Sequence, residues 1–150
     1  MTSGQLFSAT FTVYGIPKAQ PRPRAFARKF GNKYSARVYD AGTAEGWKSL
    51  VAVAGRQHCP AQPLTVPIAL AIKFYLPRPK RLCRRSDPTG EMPCPTKPDI
   101  ENLAKAVMDC MTQAGWWVDD SQVVELFAGK RWHAIGERPC ARISVKECAR

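Results

Sequence analysis

The sequence is short of acidic residues relative to basic ones. It contains 12 Asp and Glu against 23 Lys and Arg, which gives a formal net charge of +11. An excess of this size favours a polyanionic partner, of which nucleic acid is the commonest and an anionic membrane surface the alternative. No apolar run is long enough to cross a bilayer, so no membrane span is predicted.

Patterns of metal-binding cysteine and histidine are also missing. The six cysteines include no C-x-x-C pair, and the two histidines, His58 and His133, are far apart, so no zinc site is predicted. The residues after Met1 lack the charged and apolar regions of a secretory signal. A cytoplasmic location, with the thiols reduced, is therefore expected.

Alternating and apolar patterns predict a small sheet. The segment 5–15 alternates apolar and polar residues, and 64–77 is mostly apolar, which predicts a buried strand with Pro67 at its start or on an edge. Further strands are predicted over 121–132 and 138–148, the last antiparallel to its predecessor. The segment KYSARVYD predicts a short strand or ribbon.

Two segments have helical spacing of apolar residues. The first covers 43–57, with Thr43 as its N-cap. The second covers 99–115, with acids in its first turn and Gly115 as its C-cap. The order of elements predicts one compact domain over 1–150, of the α/β (α+β) class, with a small mixed sheet, two main helices and two long basic loops.

Two proline-rich segments concentrate the positive charge. Residues 17–40 and 78–98 together hold 13 of the 23 basic residues. The second is expected to be an irregular, exposed loop, because it contains five prolines. The alternative is that both segments are solvated charge runs with no ligand. The predicted DNA phosphate contacts are Arg22, Arg24, Arg28, Lys29, Arg78, Lys80, Arg81, Arg84 and Arg85.

The few acids cluster in two places. TKPDIENLAK contains Asp99 and Glu101, and Asp119 and Asp120 precede the strand predicted over 121–132. Carboxylates repel a polyanion unless a divalent cation lies between them, and Mg²⁺ prefers such oxygen ligands and can polarise a phosphoryl group. Lys105 could neutralise charge in the transition state. The alternative is that the acids only cap a helix and form a turn, with Glu101 and Lys105 as an ordinary helical pair.

The two acidic segments also carry a family resemblance. KPDIENLAKAVMDCM followed by GWWVDDSQVVEL resembles the signature of the RusA family of Holliday junction resolvases, and VYGIPKAQPRPR resembles the opening of its phage-type members. The resemblance implies a homodimeric, Mg²⁺-dependent endonuclease, with Mn²⁺ as a substitute ion and no small-molecule cofactor. Its implied partner is four-way junction DNA, in which it makes paired, symmetric nicks.

The resemblance also assigns roles to residues. Asp99, Glu101 and Asp120 match the essential carboxylates of the family, and Lys105 matches its essential lysine. The predicted metal ligands are Asp99, Glu101 and Asp120, with Asp119 as a further ligand or as an acid that orients one. The family typically carries Asp at the position of Glu101, and the longer side chain must fold back to ligate the same ion.

Several alternatives stay open at this point. Asp109 is expected to pair with Lys105 or to support the helix, and Asn102 to bond a loop near the site or its own helix start. Trp116 and Trp117 could stack on bases, although core packing is favoured. The amino-terminal strand and first helix are the predicted dimer surface. The other functions considered are a non-catalytic nucleic-acid-binding protein and a nuclease acting on flaps or forks.

Overall fold

The computed structural model describes residues 4–20, 24–30, 33–39 and 44–149, and for 24–30 and 33–39 only the backbone. These residues form two α-helices and seven strands. The strands are β1 (Ser8–Tyr14), β2 (Arg24–Phe30), β3 (Lys33–Tyr39), β4 (Ile68–Leu76), β5 (Met92–Pro93), β6 (Val123–Trp132) and β7 (Cys140–Glu147). The helices are α1 (Glu45–His58) and α2 (Ile100–Ala114), and short 3-10 turns cover Lys80–Leu82 and Asp120–Gln122.

The main sheet is mixed, which confirms the predicted class. Its strand order is β1-β7-β4-β6-β5, and β4 runs parallel to β6 but antiparallel to β7. The expected reversal of direction between β6 and β7 is therefore present, but the two strands are not neighbours, because β4 lies between them. The helix α2 makes the crossover from β4 to β6, and a parallel pair requires such a connection.

The core lies between the sheet and the two helices. Ile68, Leu70, Ile72 and Phe74 alternate along β4 and are almost fully buried. They pack against the buried faces of α1 and α2, which include Trp47, Val51, Leu103, Val107 and Met111. Each large apolar side chain buried in this way contributes roughly 1.5–3 kcal/mol. The apolar stripe of α2 is thus directed at the sheet, and its polar face is left for the site.

The tryptophan pair that follows α2 belongs to the core. Trp116 and Trp117 are 0% and 1% exposed. The Trp116 Nε1–H donates to the Gly55 carbonyl at 3.0 Å, and its ring stacks on Phe11 with centroids 5.3 Å apart. The favoured assignment of core packing is confirmed, and base stacking by these two rings is excluded by their burial.

The start of α1 differs from the prediction. Its N-cap is Ala44, which has no side-chain cap bond, and Thr43 lies outside the described residues. Ala44 is 2% exposed and belongs to the core. Pro67 immediately precedes β4, as expected, and its carbonyl accepts from the Cys148 N–H at 2.8 Å.

The loop 78–98 is mostly exposed and largely without regular secondary structure, as predicted, but one buried arginine ties its parts together. Arg78 is only 7% exposed, and its guanidinium donates to the carbonyls of Leu82 (2.9 Å), Gly90 (2.8 Å) and Pro88. Each proline in this loop lacks a backbone donor, and the arginine supplies three N–H groups to the carbonyls of Leu82, Pro88 and Gly90. The prediction that Arg78 contacts phosphate is wrong, because its guanidinium is buried and donates three hydrogen bonds inside the fold.

Within the first basic segment, 17–40, the described strands β2 and β3 form an antiparallel ribbon. β2 and β3 pair over their full length, from Arg24 opposite Tyr39 to Phe30 opposite Lys33, which confirms the ribbon predicted from KYSARVYD. Arg24, Arg28 and Lys29 lie on β2. Arg22 lies outside the described residues. In the described part of the chain, no helix is long and apolar enough to cross a membrane.

Candidate active site

Asp99 occupies the N-cap position of α2. Its φ and ψ of −67° and 140° are extended, and its carbonyl accepts the first helical hydrogen bond from the Leu103 N–H at 3.1 Å. Its carboxylate makes no capping bond to the described helix, and the residue is exposed. Asp99 therefore begins the helix through its backbone, and its side chain stays available for a ligand.

Glu101, Lys105 and Asp109 follow one another on the polar face of α2, one turn apart. Glu101 and Lys105 are exposed, and Asp109 is half-buried. No ion pair within 4 Å joins these residues in the described part of the chain, where Glu91 holds the ion pairs instead. The lysine thus lies between two carboxylates without being neutralised by a close contact with either.

Asp120 is held by the last turn of α2. Its Oδ1 accepts from Trp117 Nε1 at 3.2 Å and lies in hydrogen-bond contact with the Thr112 hydroxyl. The Trp117 Nε1–H also reaches Thr112 Oγ1 at 2.7 Å. The buried Trp117 ring and α2 are both rigid, so they fix the orientation of this carboxylate.

The neighbouring Asp119 has a structural role. Its Oδ1 accepts from the Ser121 N–H at 2.8 Å, and this backbone bond is the main reason that the pKa of Asp119 lies below its ordinary value. Gln122 completes a capping box, because its Oε1 accepts from the Asp119 N–H at 2.9 Å. The same side chain donates to the Leu64 carbonyl at 2.8 Å. Asp119 therefore shapes the turn that presents Asp120.

Asp109 faces Asp120 rather than only its own helix. Burial is the first cause that raises the pKa of Asp109, and the nearby Asp120 carboxylate raises it further. The positive charges of Lys105 and Lys48 partly offset these effects. The charges of Asp120, Lys105 and Lys48 thus all act on Asp109. The expected pairing of Asp109 with Lys105 holds at long range only.

The predicted acids fall into two groups at opposite ends of α2. Asp99 and Glu101 lie at its start, and Asp120 contacts Thr112 in its last turn. A rise of about 1.5 Å per residue separates Asp99 from Thr112 by about 20 Å. Across the described residues, no group of three or more His, Cys, Asp or Glu side chains is placed to hold a metal ion. One chain does not gather the four predicted ligands at one point.

The other end of the site is tied to β6. The Lys130 Nζ donates to the carbonyls of Thr96 and Pro98, the latter at 2.9 Å. This fixes the segment before Asp99 beside the carboxyl-terminal end of β6, whereas Asp120 lies at the amino-terminal end of that strand. Of the predicted phosphate contacts in the loop 78–98, Lys80, Arg81, Arg84 and Arg85 are exposed.

A family model described as Endodeoxyribonuclease RusA matches residues 15–146. This chain belongs to the RusA endodeoxyribonuclease family. All four predicted catalytic residues lie within the matched range.

Individual relatives differ in how much of the chain they cover. The chain is 34% identical to the uncharacterized protein YqaN of Bacillus subtilis (strain 168) over 142 residues, which is 91% of this chain and 94% of that protein. It is 50% identical to the crossover junction endodeoxyribonuclease RusA of Escherichia coli (strain K12) over 34 residues, 23% of this chain and 28% of that protein. The RusA of Enterobacteria phage 82 matches to the same extent. Similarity to a protein of named activity is thus local.

Three residues that complete this RusA-family site were missed by sequence reasoning. Thr112 and Lys130 carry no local signal, because their contacts depend on elements that meet only in the folded chain. Gln122 could have been found, since an acid followed three residues later by glutamine is a capping-box pattern.

Proposed function

We propose that this chain is a structure-specific endodeoxyribonuclease that resolves four-way DNA junctions by paired, divalent-metal-dependent nicks and acts as a homodimer. The observation that carries the proposal is the family match over residues 15–146. Asp99, Glu101, Lys105 and Asp120 are present within it, and three of them, Asp99, Glu101 and Lys105, present exposed side chains that the described fold does not use.

A second copy of the chain supplies what one copy lacks. The acids at the two ends of α2 are about 20 Å apart, too far to share an ion whose oxygen ligands lie about 2.0–2.1 Å away. A two-fold axis that reverses the direction of α2 would bring the Asp99 end of one copy to the Asp120 end of the other. Two equivalent composite sites would result, which suits two nicks in a two-fold symmetric junction.

The edge of β6 is the surface that supports this pairing best. β5 pairs only with Trp132 and Arg131, and residues 123–129 have no second neighbour among the described strands. This edge exposes Leu126 (49%) and Phe127 (62%), and an unpaired apolar edge of this kind favours strand addition.

Antiparallel pairing of two β6 edges superposes opposite ends of the strand. Residues 123–129 span about 23 Å at about 3.3 Å per residue, close to the length of α2. Lys130 ties the Asp99 end of α2 to one end of β6, and Asp120 lies at the other end. Pairing β6 with itself therefore brings the two groups of acids together.

The predicted dimer surface, on β1 and α1, supports the site less well. It exposes Leu50 (46%) and Val53 (54%), so it is apolar enough to be an interface. However, β1 lies at the opposite edge of the sheet, with β7 and β4 between it and β6. A dimer formed there would leave the acids of the two copies apart, so we place the functional contact at β6.

The side chains divide the work of phosphodiester hydrolysis. A hard divalent cation fits carboxylate donors, and Asp99 and Glu101 of one copy with Asp120 of the other would hold it, to polarise the phosphate and activate water. Lys105 is placed to neutralise the charge that develops on the phosphate oxygens. Thr112 and Trp117 hold Asp120 in one orientation, and the exposed arginines of the loop 78–98 anchor the DNA backbone without reading sequence.

A cleavage assay on synthetic DNA tests the proposal. A labelled four-way junction should receive symmetric nicks in Mg²⁺ and none in EDTA, and Asp120→Asn should abolish nicking while junction binding persists. Duplex, flap and fork substrates of the same sequence are compared at one ionic strength. Equal nicking rates on flaps and forks would show that the substrate is branched DNA in general. Junction binding without nicking in any metal ion would show that the protein is a non-catalytic nucleic-acid-binding protein.

A further inference from the structure

A groove of about 850 Å³ opens beside Asp99 at the carboxyl ends of β4 and β6. Leu76 and Trp132, the last residues of these two parallel strands, line it. In open α/β sheets, the crevice beyond the carboxyl ends of neighbouring parallel strands is where ligands bind. The volume lies within the roughly 300–1,000 Å³ of small-ligand sites. Metal binding and backbone anchoring do not account for it.

The lining of the groove combines apolar and polar residues. Pro17, Pro77 and Pro79 join Leu76 and Trp132 in its apolar part, here called the apolar wall. The polar and charged lining residues are Lys18, Thr96, Lys97, Asp99 and Asn102. Rigid apolar surfaces suit a planar ring, and the ammonium groups suit an anion attached to it. The chemical class that combines both is a nucleotide.

Hydrogen bonds on both sides hold the groove open in its present shape. The Gln20 N–H donates to the Asn102 carbonyl at 2.9 Å, which fixes the strip 16–19 against the first turn of α2. Lys130 fixes the opposite side through the carbonyls of Thr96 and Pro98. The Arg81 guanidinium lies 5.8 Å from the centroid of the Trp132 ring and adds positive charge behind the wall. A pre-formed groove costs little ordering when a ligand enters.

We propose that this groove receives the nucleotide next to the scissile phosphate, with its base unstacked and lying against the apolar wall. This rests on the proposed function. The base edge lies within reach of Asn102 and Thr96, and the adjoining phosphate lies beside Asp99. The groove thereby selects which phosphodiester bond is cut. Unstacking costs a few kcal/mol in duplex DNA and least where pairing is already disturbed, as at a branch point.

The experiment removes single bases from the junction and compares the unchanged protein with variants whose groove is filled by a phenylalanine ring. Junctions carry a single abasic residue at each position flanking the cut in turn, and initial nicking rates are measured for each. In the unchanged protein, one flanking position should slow nicking by about fivefold to a hundredfold, the loss expected from about 1–3 kcal/mol of stacking. The other positions should have little effect.

Variants that fill the groove should lose this dependence. Ala19→Phe and Thr96→Phe each place a ring in the groove, and Thr96 is exposed, so the second variant keeps the test valid if the first unfolds. Both variants should nick the intact junction more slowly than the unchanged protein does. Removing the base should cause no further decrease in their rate. Ala61→Phe adds the same ring at an exposed position outside the groove and should keep the full abasic effect.

Two results would overturn the inference. One is an equal rate in the unchanged protein for every abasic position, and the other is a full abasic effect in both filled variants. If the unchanged protein nicks no junction at all, the proposed function has failed instead. The groove is then tested by binding alone, with 2-aminopurine at the flanking position. Equal fluorescence on binding to the unchanged protein and to Thr96→Phe would exclude the groove.

Discussion

Mixing two inactive variants of this chain is expected to restore nicking. Asp99→Asn removes a carboxylate from the start of α2, and Asp120→Asn removes the one held at its end. If each site takes its acids from two copies, a mixed dimer contains one site with both carboxylates intact and one with neither. The mixed dimer should therefore nick junctions singly, although each variant alone nicks none.

The expected recovery follows from counting sites. Random exchange of subunits makes about half of the dimers mixed, and each has one working site of two, so about a quarter of the unchanged activity returns. A second mixture distinguishes shared sites from sites that lie within one chain. When unchanged chain is mixed with a chain carrying both substitutions, about a quarter of the activity should remain, whereas sites contained within single chains would leave about half.

The assay follows single and paired nicks on a labelled junction after the mixed subunits have exchanged. Native mass spectrometry establishes that mixed dimers have formed. Leu126→Lys, which introduces charge at the β6 edge, should give monomers by sedimentation, and Leu50→Lys on α1 is the matched control that should stay dimeric. A mixture that contains mixed dimers and still makes no nick would refute the shared site.

Four further outcomes are expected. Lys105→Ala should lower turnover far more than junction affinity, as measured by single-turnover nicking beside binding; an equal loss of both would indicate a phosphate anchor. Thr112→Val removes the hydroxyl beside Asp120 and should weaken divalent-metal binding about tenfold to a hundredfold by calorimetry, with Thr112→Ser close to normal. Arg78→Met should lower the melting temperature, because it removes three hydrogen bonds from a charged donor, each worth at most about 1.5–3 kcal/mol, and junction affinity should stay nearly unchanged. Weaker binding at an unchanged melting temperature would contradict the burial of Arg78. The raised pKa of Asp109 means that its protonated form is favoured in the folded chain, so this side chain stabilises the fold fully below the ordinary pKa of 3.8 and loses that contribution as pH rises through the raised pKa. Asp109→Asn should therefore remove this loss of stability, measured by denaturant unfolding across pH. An unchanged pH dependence in the variant would exclude this role of Asp109.

The proposed roles give α2 two functions that rely on opposite faces. Its apolar face packs on the sheet through Leu103, Val107 and Met111, which makes the helix a rigid spacer. Its polar face carries Glu101 and Lys105, which would lie beside the DNA in the proposed complex. Because the helix sets the distance between the two groups of acids, a variant that shortened α2 would alter the proposed metal site even with every acid retained.

Local chemistry determined much of the structure around the site. The helix predicted over 99–115 is found as Ile100–Ala114, with Asp99 as N-cap and Gly115 in the left-handed region at φ 91°. Helical spacing, an acid at the start and a glycine at the end act over a few residues, so the sequence alone carries them. The same holds for the β2–β3 ribbon and for the motif that identifies the family.

Tertiary structure alone decided where those pieces meet. Four acids were predicted to lie at one point, but α2 holds them at its two ends, and Asp120 contacts Thr112 and Trp117 instead. A phosphate contact was also predicted for Arg78, whereas its guanidinium donates hydrogen bonds to carbonyls of the proline-rich loop. These outcomes depend on burial and on contacts between distant segments, such as β4 lying between β6 and β7. Residue spacing along the chain contains no measure of either.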